Sequence, residues 1–163
     1  MTRRLILTRH AKSDWSQSGV SDHQRPLNKR GRASATAIGD WLRKGNHLPN
    51  QILSSSSTRT RETCDRLQLD APVTYLGALY HAGALTMLSE LRKASGQTVL
   101  MLGHNPGIGE FAEKLVRASP AHPRFLDYPT CATLVADFDI TSWSKADFGQ
   151  ALTVAFVIPR ELI

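Results

Sequence analysis

The feature that most constrains this chain is a rhythm: apolar runs too short for helices, separated by stretches in which apolar residues recur at helical spacing. Leu5-Ile6-Leu7, Gln51-Ile52-Leu53, Val73-Thr74-Tyr75 and Thr98-Val99-Leu100-Met101-Leu102 read as buried strands. Between them, Ala35, Ile38, Trp41 and Leu42 share one helical face before Gly45, Thr60, Cys64 and Leu67 share a second, and Leu85, Leu88 and Leu91 a third. Ile108, Phe111, Ala112, Leu115 and Val116 fill the i, i+3, i+4, i+7, i+8 template. Strands alternating with helices predict an α/β domain, a three-layer α/β/α sandwich with a mostly parallel central sheet covered on both faces. In the tail, Ala132 to Asp139 and Ala151 to Ile158 read as two more strands, joined by a polar connection containing Trp143 and Gly149. They are expected at one side of the same sheet. The chain has 163 residues, and only Ser54 to Ser57 interrupts the pattern, so residues 1–163 are expected to form a single domain.

Other classes drop out on composition. No segment approaches the roughly 18 consecutive apolar residues of a membrane span, and the apolar run within Met1 to Leu7 is too short for a signal peptide. A cytoplasmic location with no membrane partner is expected. Cys64 and Cys131 lie far apart, with no CxxC and no clustered histidines, so neither a disulfide framework nor a zinc site is suggested. No metal and no cofactor are expected. The net charge of +6 calls for an anionic partner. The basic residues come as short groups (Arg3-Arg4, Lys29-Arg30-Arg32, Arg43-Lys44, Arg59-Arg61-Arg66) without interleaved aromatics, which argues against nucleic acid.

In an open α/β sheet, ligands bind beyond the carboxyl ends of the strands. The first strand is followed by Thr8-Arg9-His10-Ala11-Lys12, the second by Ser54-Ser55-Ser56-Ser57-Thr58-Arg59, the fourth by Gly103-His104-Asn105-Pro106-Gly107. Histidine supplies a nucleophile or an acid and base near neutral pH, and arginine a planar fork of donors that matches phosphate oxygens. Asn105 suits an N-cap and Pro106 the first helical position, so a helix is expected to start there, with His104 before an anion-favouring terminus. Gly103 and Gly107 would let the backbone approach a ligand. Taken singly, His104 reads equally as a hydrogen-bonded loop histidine, Arg9-His10 as a commonplace dipeptide and Arg59 as a solvated helix arginine. Three strand exits offering the same chemistry together point to a phosphoryl site.

The ordered motifs Leu7-Thr8-Arg9-His10-Ala11, Arg25-Pro26-Leu27-Asn28-Lys29-Arg30-Gly31, Ser55 to Thr63 and Gly103 to Gly107 resemble those of the histidine phosphatase superfamily, the phosphoglycerate-mutase-like fold. The resemblance runs from residue 3 to about residue 117, and short length and motif form make it most similar to the SixA-type phosphohistidine phosphatases. It implies that His10 becomes phosphorylated, that Arg9 and Arg59 clamp the phosphoryl oxygens, that His104 supports the transferring group, and that Arg25 belongs to the wall. The chain also departs from the family pattern. Ala11 replaces the usual Gly, and Lys12 and Ser16 stand where many mutases and phosphatases have Glu and Asn. Those members also carry a general acid after the third strand, yet Ala71 to Ser89 contains no Asp or Glu, only Tyr75, Tyr80 and His81 as ionisable groups.

A phosphate ester expels an alkoxide, for which a positioned acid is worth about 10² to 10⁴ in rate. Phosphohistidine expels imidazole, which can be protonated before it leaves. The favoured expectation is therefore a metal-independent phosphatase working through a phosphohistidine intermediate on phosphohistidine in a protein. The alternatives are a phosphatase of small phosphate esters or anhydrides and a catalytically silent module that binds a phospho-ligand. His81 reads as a general acid or as a surface or capping residue. Asp14 and Asp22, in the loop after His10, either reach the mouth of the site or stay solvated.

Overall fold

The computed structural model describes residues 1–163. The elements run β1 (Thr2–Arg9), α1 (Lys29–Lys44), β2 (Gln51–Ser55), α2 (Thr58–Leu67), β3 (Val73–Leu76), α3 (Ala84–Arg92), β4 (Thr98–Gly103), α4 (Gly107–Leu115), β5 (Thr133–Asp139) and β6 (Leu152–Val157), with 3-10 turns at Gly77–Leu79, Trp143–Lys145 and Pro159–Glu161. They build one six-stranded sheet in the order β3-β2-β4-β1-β5-β6. The pairs β1–β4, β2–β4 and β2–β3 are parallel. Both tail strands extend the sheet beyond β1, with β5 antiparallel to β1 and β6 antiparallel to β5.

Period-two alternation sorts the strand residues between two cores. Leu5, Leu7, Val99 and Met101 pack on the side of α3 and α4. Ile6, Leu100 and Leu102 pack on the side of α1 and α2, together with Ala35, Ile38, Leu42, Cys64 and Leu67. Because both faces of β1 and β4 are covered, their sequences read as unbroken apolar runs rather than alternating ones. The two cysteines are unpaired and buried, and burial pushes their thiols up to about 11 at Cys64 and about 12 at Cys131. No helix is long and apolar enough to cross a membrane.

Three expectations are corrected. Leu85 is 73% exposed rather than packed with Leu88 and Leu91; residues spaced by three drift around a helix, and α3 instead buries Ala84, Met87, Leu88 and Leu91, the full i, i+3, i+4, i+7 set. Val116 has left the helix to form a bridge with Ala151. Finally, α4 starts at Gly107 with Pro106 as its N-cap, not at Asn105-Pro106. The Asn105–Pro106 peptide is cis. The Asn105 side chain donates to the carbonyls of Asp127 at 2.9 Å and Tyr128 at 3.0 Å and accepts from the Gly109 amide at 3.2 Å, so it anchors the turn to a neighbouring loop.

Candidate active site

The sheet register brings the strand exits together. Arg9 pairs with Gly103, so His10 and His104 leave adjacent strands side by side, with ring centroids 5.3 Å apart. The His10 amide donates to the Gly103 carbonyl at 3.1 Å, and the Cys131 amide donates to the His10 carbonyl at 2.9 Å. Those bonds hold the residue between β4 and the start of β5. On the far side of β4, Ser54 and Ser55 end β2, and Ser57 caps α2 by accepting from the Thr60 amide. The serine run is thus a strand exit followed by a helix cap. The turn aims the Arg59 side chain inward, where it is only 4% exposed. Thr63 ties this helix to β1, since its hydroxyl donates to the Arg59 carbonyl at 2.7 Å and accepts from the Ala11 amide at 3.0 Å. Glu62 accepts from the Leu27 amide at 2.9 Å, which anchors the Pro26-Leu27 turn.

Hydrogen-bond chemistry assigns both histidine tautomers. His10 Nδ1 lies 2.7 Å from the Ala11 carbonyl oxygen, an acceptor only, so Nδ1 carries the proton and Nε2 keeps a free lone pair. His104 Nδ1 lies 3.3 Å from Arg59 Nη2, a donor only, so Nδ1 accepts, while Nε2–H donates to Ser55 Oγ at 2.7 Å. Burial, with Arg9 and Arg59 nearby, holds His10 down at about 3. Burial, then His10 and Arg59, hold His104 at about 2. Both rings are therefore neutral at physiological pH, and His10 carries an unprotonated nitrogen available for attack.

Asp22 is the hub that sequence reasoning left open. Its Oδ2 accepts from Arg59 Nη2 at 3.1 Å, from His81 Nε2 at 2.9 Å and from the Tyr80 hydroxyl, its Oδ1 accepts from Arg25, and its backbone carbonyl accepts from Arg59 Nη1 at 2.6 Å. Burial opposes ionisation of this carboxyl, but the hydrogen bonds from Tyr80 and His81 and the Arg59 charge outweigh it and hold the group well below the usual carboxylate range. A cavity of about 140 Å³ is lined by Arg9, His10, Lys12, Asp22, Arg25 and Arg59, among others. Asp22 is the only carboxylate in that lining. The Nε atoms of Arg9 and Arg25 are buried without a partner in the protein, which leaves donors free beside a cavity rich in guanidinium groups. Asp14 instead accepts from the Ser16 amide at 2.8 Å, away from the cavity lining.

The structure thus gathers Arg9, His10, Arg59 and His104, brings in Arg25, Asp22 and His81, the last two of which the sequence left open, and adds Tyr80 and Ser55. A usable signal was the lack of acids from Ala71 to Ser89, which singles out Tyr80 and His81. His81 also has φ +52°, the kind of sparsely populated backbone that collects at functional sites. No three His, Cys, Asp or Glu side chains converge as a metal site would require.

Comparison with known proteins places the sequence and the fold. Residues 5–80 match the sequence model of the histidine phosphatase superfamily (branch 1). An uncharacterized chloroplastic protein of Arabidopsis thaliana is 33% identical over 161 residues, spanning 90% of this chain and 71% of that protein. A structure from Nakamurella multipartitia that bears the provisional name phosphohistidine phosphatase SixA superposes with a TM-score of 0.83 at 31% identity, covering 98% of this chain and 97% of that one. A structure from Agrobacterium tumefaciens with the same provisional name gives 0.78 at 28%, covering 96% and 98%. The family match takes in β1 to β3, and these relatives carry the likeness across the rest of the sheet; the chain belongs to the histidine phosphatase superfamily.

Proposed function

We propose that this protein is a metal-independent phosphatase that works through a phosphohistidine at His10 and acts on phosphohistidine in a protein. The observation that carries the reading is the His10 tautomer, fixed by the Ala11 carbonyl so that Nε2 presents its lone pair beside Arg9 and Arg59. That lone pair attacks phosphorus. A P–Nε2 bond forms as the bond to the substrate imidazole breaks, and the imidazole, protonated from solvent, leaves with the electron pair. Water then attacks phosphorus, the P–Nε2 bond breaks, the ring regains its lone pair and the water proton passes to solvent. Arg9 and Arg59 neutralise the phosphoryl oxygens throughout, so catalysis is mainly positioning and charge stabilisation. A phosphoryl dianion beside His104 offsets the burial and positive neighbours that keep that ring neutral, and lets it take up a proton as substrate binds.

The absence of a carboxylic acid from Ala71 to Ser89 supports a P–N substrate, as do the phosphohistidine phosphatase names of the two similar structures. In this reading residues 1–163 act as one domain in the cytoplasm, with no part for nucleic acid or membrane. The test is to incubate the protein briefly with a labelled phosphohistidine protein and quench in alkali. Acid-labile, base-stable label should appear on the chain and vanish in His10→Ala. Label that survives acid, or persists in that variant, refutes the assignment. Chelation should leave turnover unchanged, and recovery on adding back one divalent ion would refute metal independence.

One observation favours a second reading, hydrolysis of small phosphate esters. His81, held on Asp22, has its ring centroid 4.9 Å from that of His104 and supplies a proton-bearing ring at the mouth. If His81 is a general acid, leaving-group dependence is shallow in the native protein and steep in His81→Ala. If the first reading holds, it is steep in both.

A further inference from the structure

Beside the catalytic cavity lies a second one, of about 220 Å³, that the proposed reaction does not use. The two share Lys12 and Thr130 as a common wall. Every ionisable group lining the second cavity is basic: Lys12, Arg30, Arg124 and Arg160. These cations arrive from four separate segments, namely the loop after β1, the first turn of α1, the loop before β5 and the 3-10 turn after β6. Arg124 bonds to Asp127 at 2.9 Å, whereas Lys12, Arg30 and Arg160 have no ion-pair partner and no side-chain hydrogen bond in the protein. Like charges gathered in a concavity repel one another and raise the local concentration of anions. A surface that merely kept the protein soluble would not need them on one side of the reacting centre. Lys12 is also one of the residues at which this chain departs from the family pattern, with a cation where many members carry a carboxylate.

We propose that this cavity is a second anion subsite, which takes a carboxylate or phosphate carried on the same molecule as the phosphoryl group that His10 attacks. Lys12, in the shared wall, lies next to both anions, and the guanidinium forks of Arg30, Arg124 and Arg160 match a planar carboxylate or a phosphate face. Two sources supply that chemistry: acidic side chains flanking a phosphohistidine, or a second phosphate on a small substrate. The role in turnover rests on the phosphatase reading above, but the binding of a second anion does not.

Calorimetry with orthophosphate and tripolyphosphate tests the subsite directly. The native protein should bind tripolyphosphate at least about tenfold more tightly than orthophosphate. The Arg30→Gln/Arg160→Gln variant should lose that margin. A Lys44→Gln/Lys145→Gln variant, with the same net charge but changed at residues lining neither cavity, should keep it. Equal affinities in the native protein, or equal loss in both variants, overturn the proposal. Turnover then separates the sources. Phosphohistidine peptides with glutamates beside the phosphorylated residue should outrun alanine versions if the anion is peptide-borne, and an aryl bisphosphate should outrun the monophosphate if it is small. Preference in neither arm, in a protein that does turn over phosphoramidates, overturns the subsite while leaving the phosphatase intact. A protein that turns over nothing refutes the phosphatase reading and leaves the binding result to judge the subsite.

Discussion

Arg59 illustrates how much one side chain can be asked to hold. Its two terminal nitrogens reach the carbonyl and carboxylate of Asp22 and the Nδ1 of His104, three contacts in different directions. A lysine supplies the charge from a single point and cannot make all three. Arg59→Lys should therefore lose most of the turnover that Arg59→Ala loses, on the order of 10² in kcat, with circular dichroism unchanged. Near-normal kcat in Arg59→Ala would reduce this residue to an ordinary helix arginine. Arg9, His10, Arg59 and His104 were legible in the sequence because each ends a strand or follows one within a few residues, and strands announce themselves. Asp22 and His81 were legible only as open alternatives, and the bonds that join them to Tyr80 were not legible at all. They meet only because two loops fold over the same edge, and no periodicity encodes the path of a loop.

At the scale of elements, the site depends on how tightly α4 is seated. A Cβ on Gly107 would lie 1.7 Å from the Ala82 carbonyl oxygen, so this glycine brings the helix start against the backbone next to His81. The close approach expected from the sequence is real, but at Gly107 its partner is another segment of the chain. Gly107→Ala should cost about 3 kcal/mol, as overpacking does, and should shift the Tyr80-His81 turn. Urea unfolding measures the first effect, and the shape of the leaving-group dependence the second. A neutral substitution would show that the Ala82 segment yields freely. Element types were readable because the strands are short and the helices amphipathic. The buried face of α3 differs from the expected one because Leu85 lies one position past Ala84, and it is Ala84 and Met87, not Leu85, that complete the stripe with Leu88 and Leu91.

For the whole molecule, two buried neutral imidazoles tie stability to pH. The unfolded chain protonates His10 and His104 near 6.5, whereas the folded chain holds them at about 3 and about 2. Below pH 6.5 the unfolded state binds more protons, so stability falls with pH down to about 3, by about 1.4 kcal/mol per pH unit for each ring. The depressed Asp22 carboxyl acts in the same direction at lower pH. Melting temperatures from pH 7 to 4 should show this decline, and saturating phosphate, by favouring the protonated rings, should flatten it. A flat profile without anion would mean that the rings titrate freely in the fold. The cysteines carry a different consequence. Thiolate is the form that peroxides and alkylating agents attack, and burial leaves Cys64 and Cys131 almost entirely as thiols. Hydrogen peroxide or iodoacetamide at doses that silence a cysteine-dependent phosphatase should spare this one, and inactivation matched to modification of either thiol would contradict it. A hydrolase built on imidazole nitrogen can keep working through oxidative stress that switches its sulfur-based counterparts off.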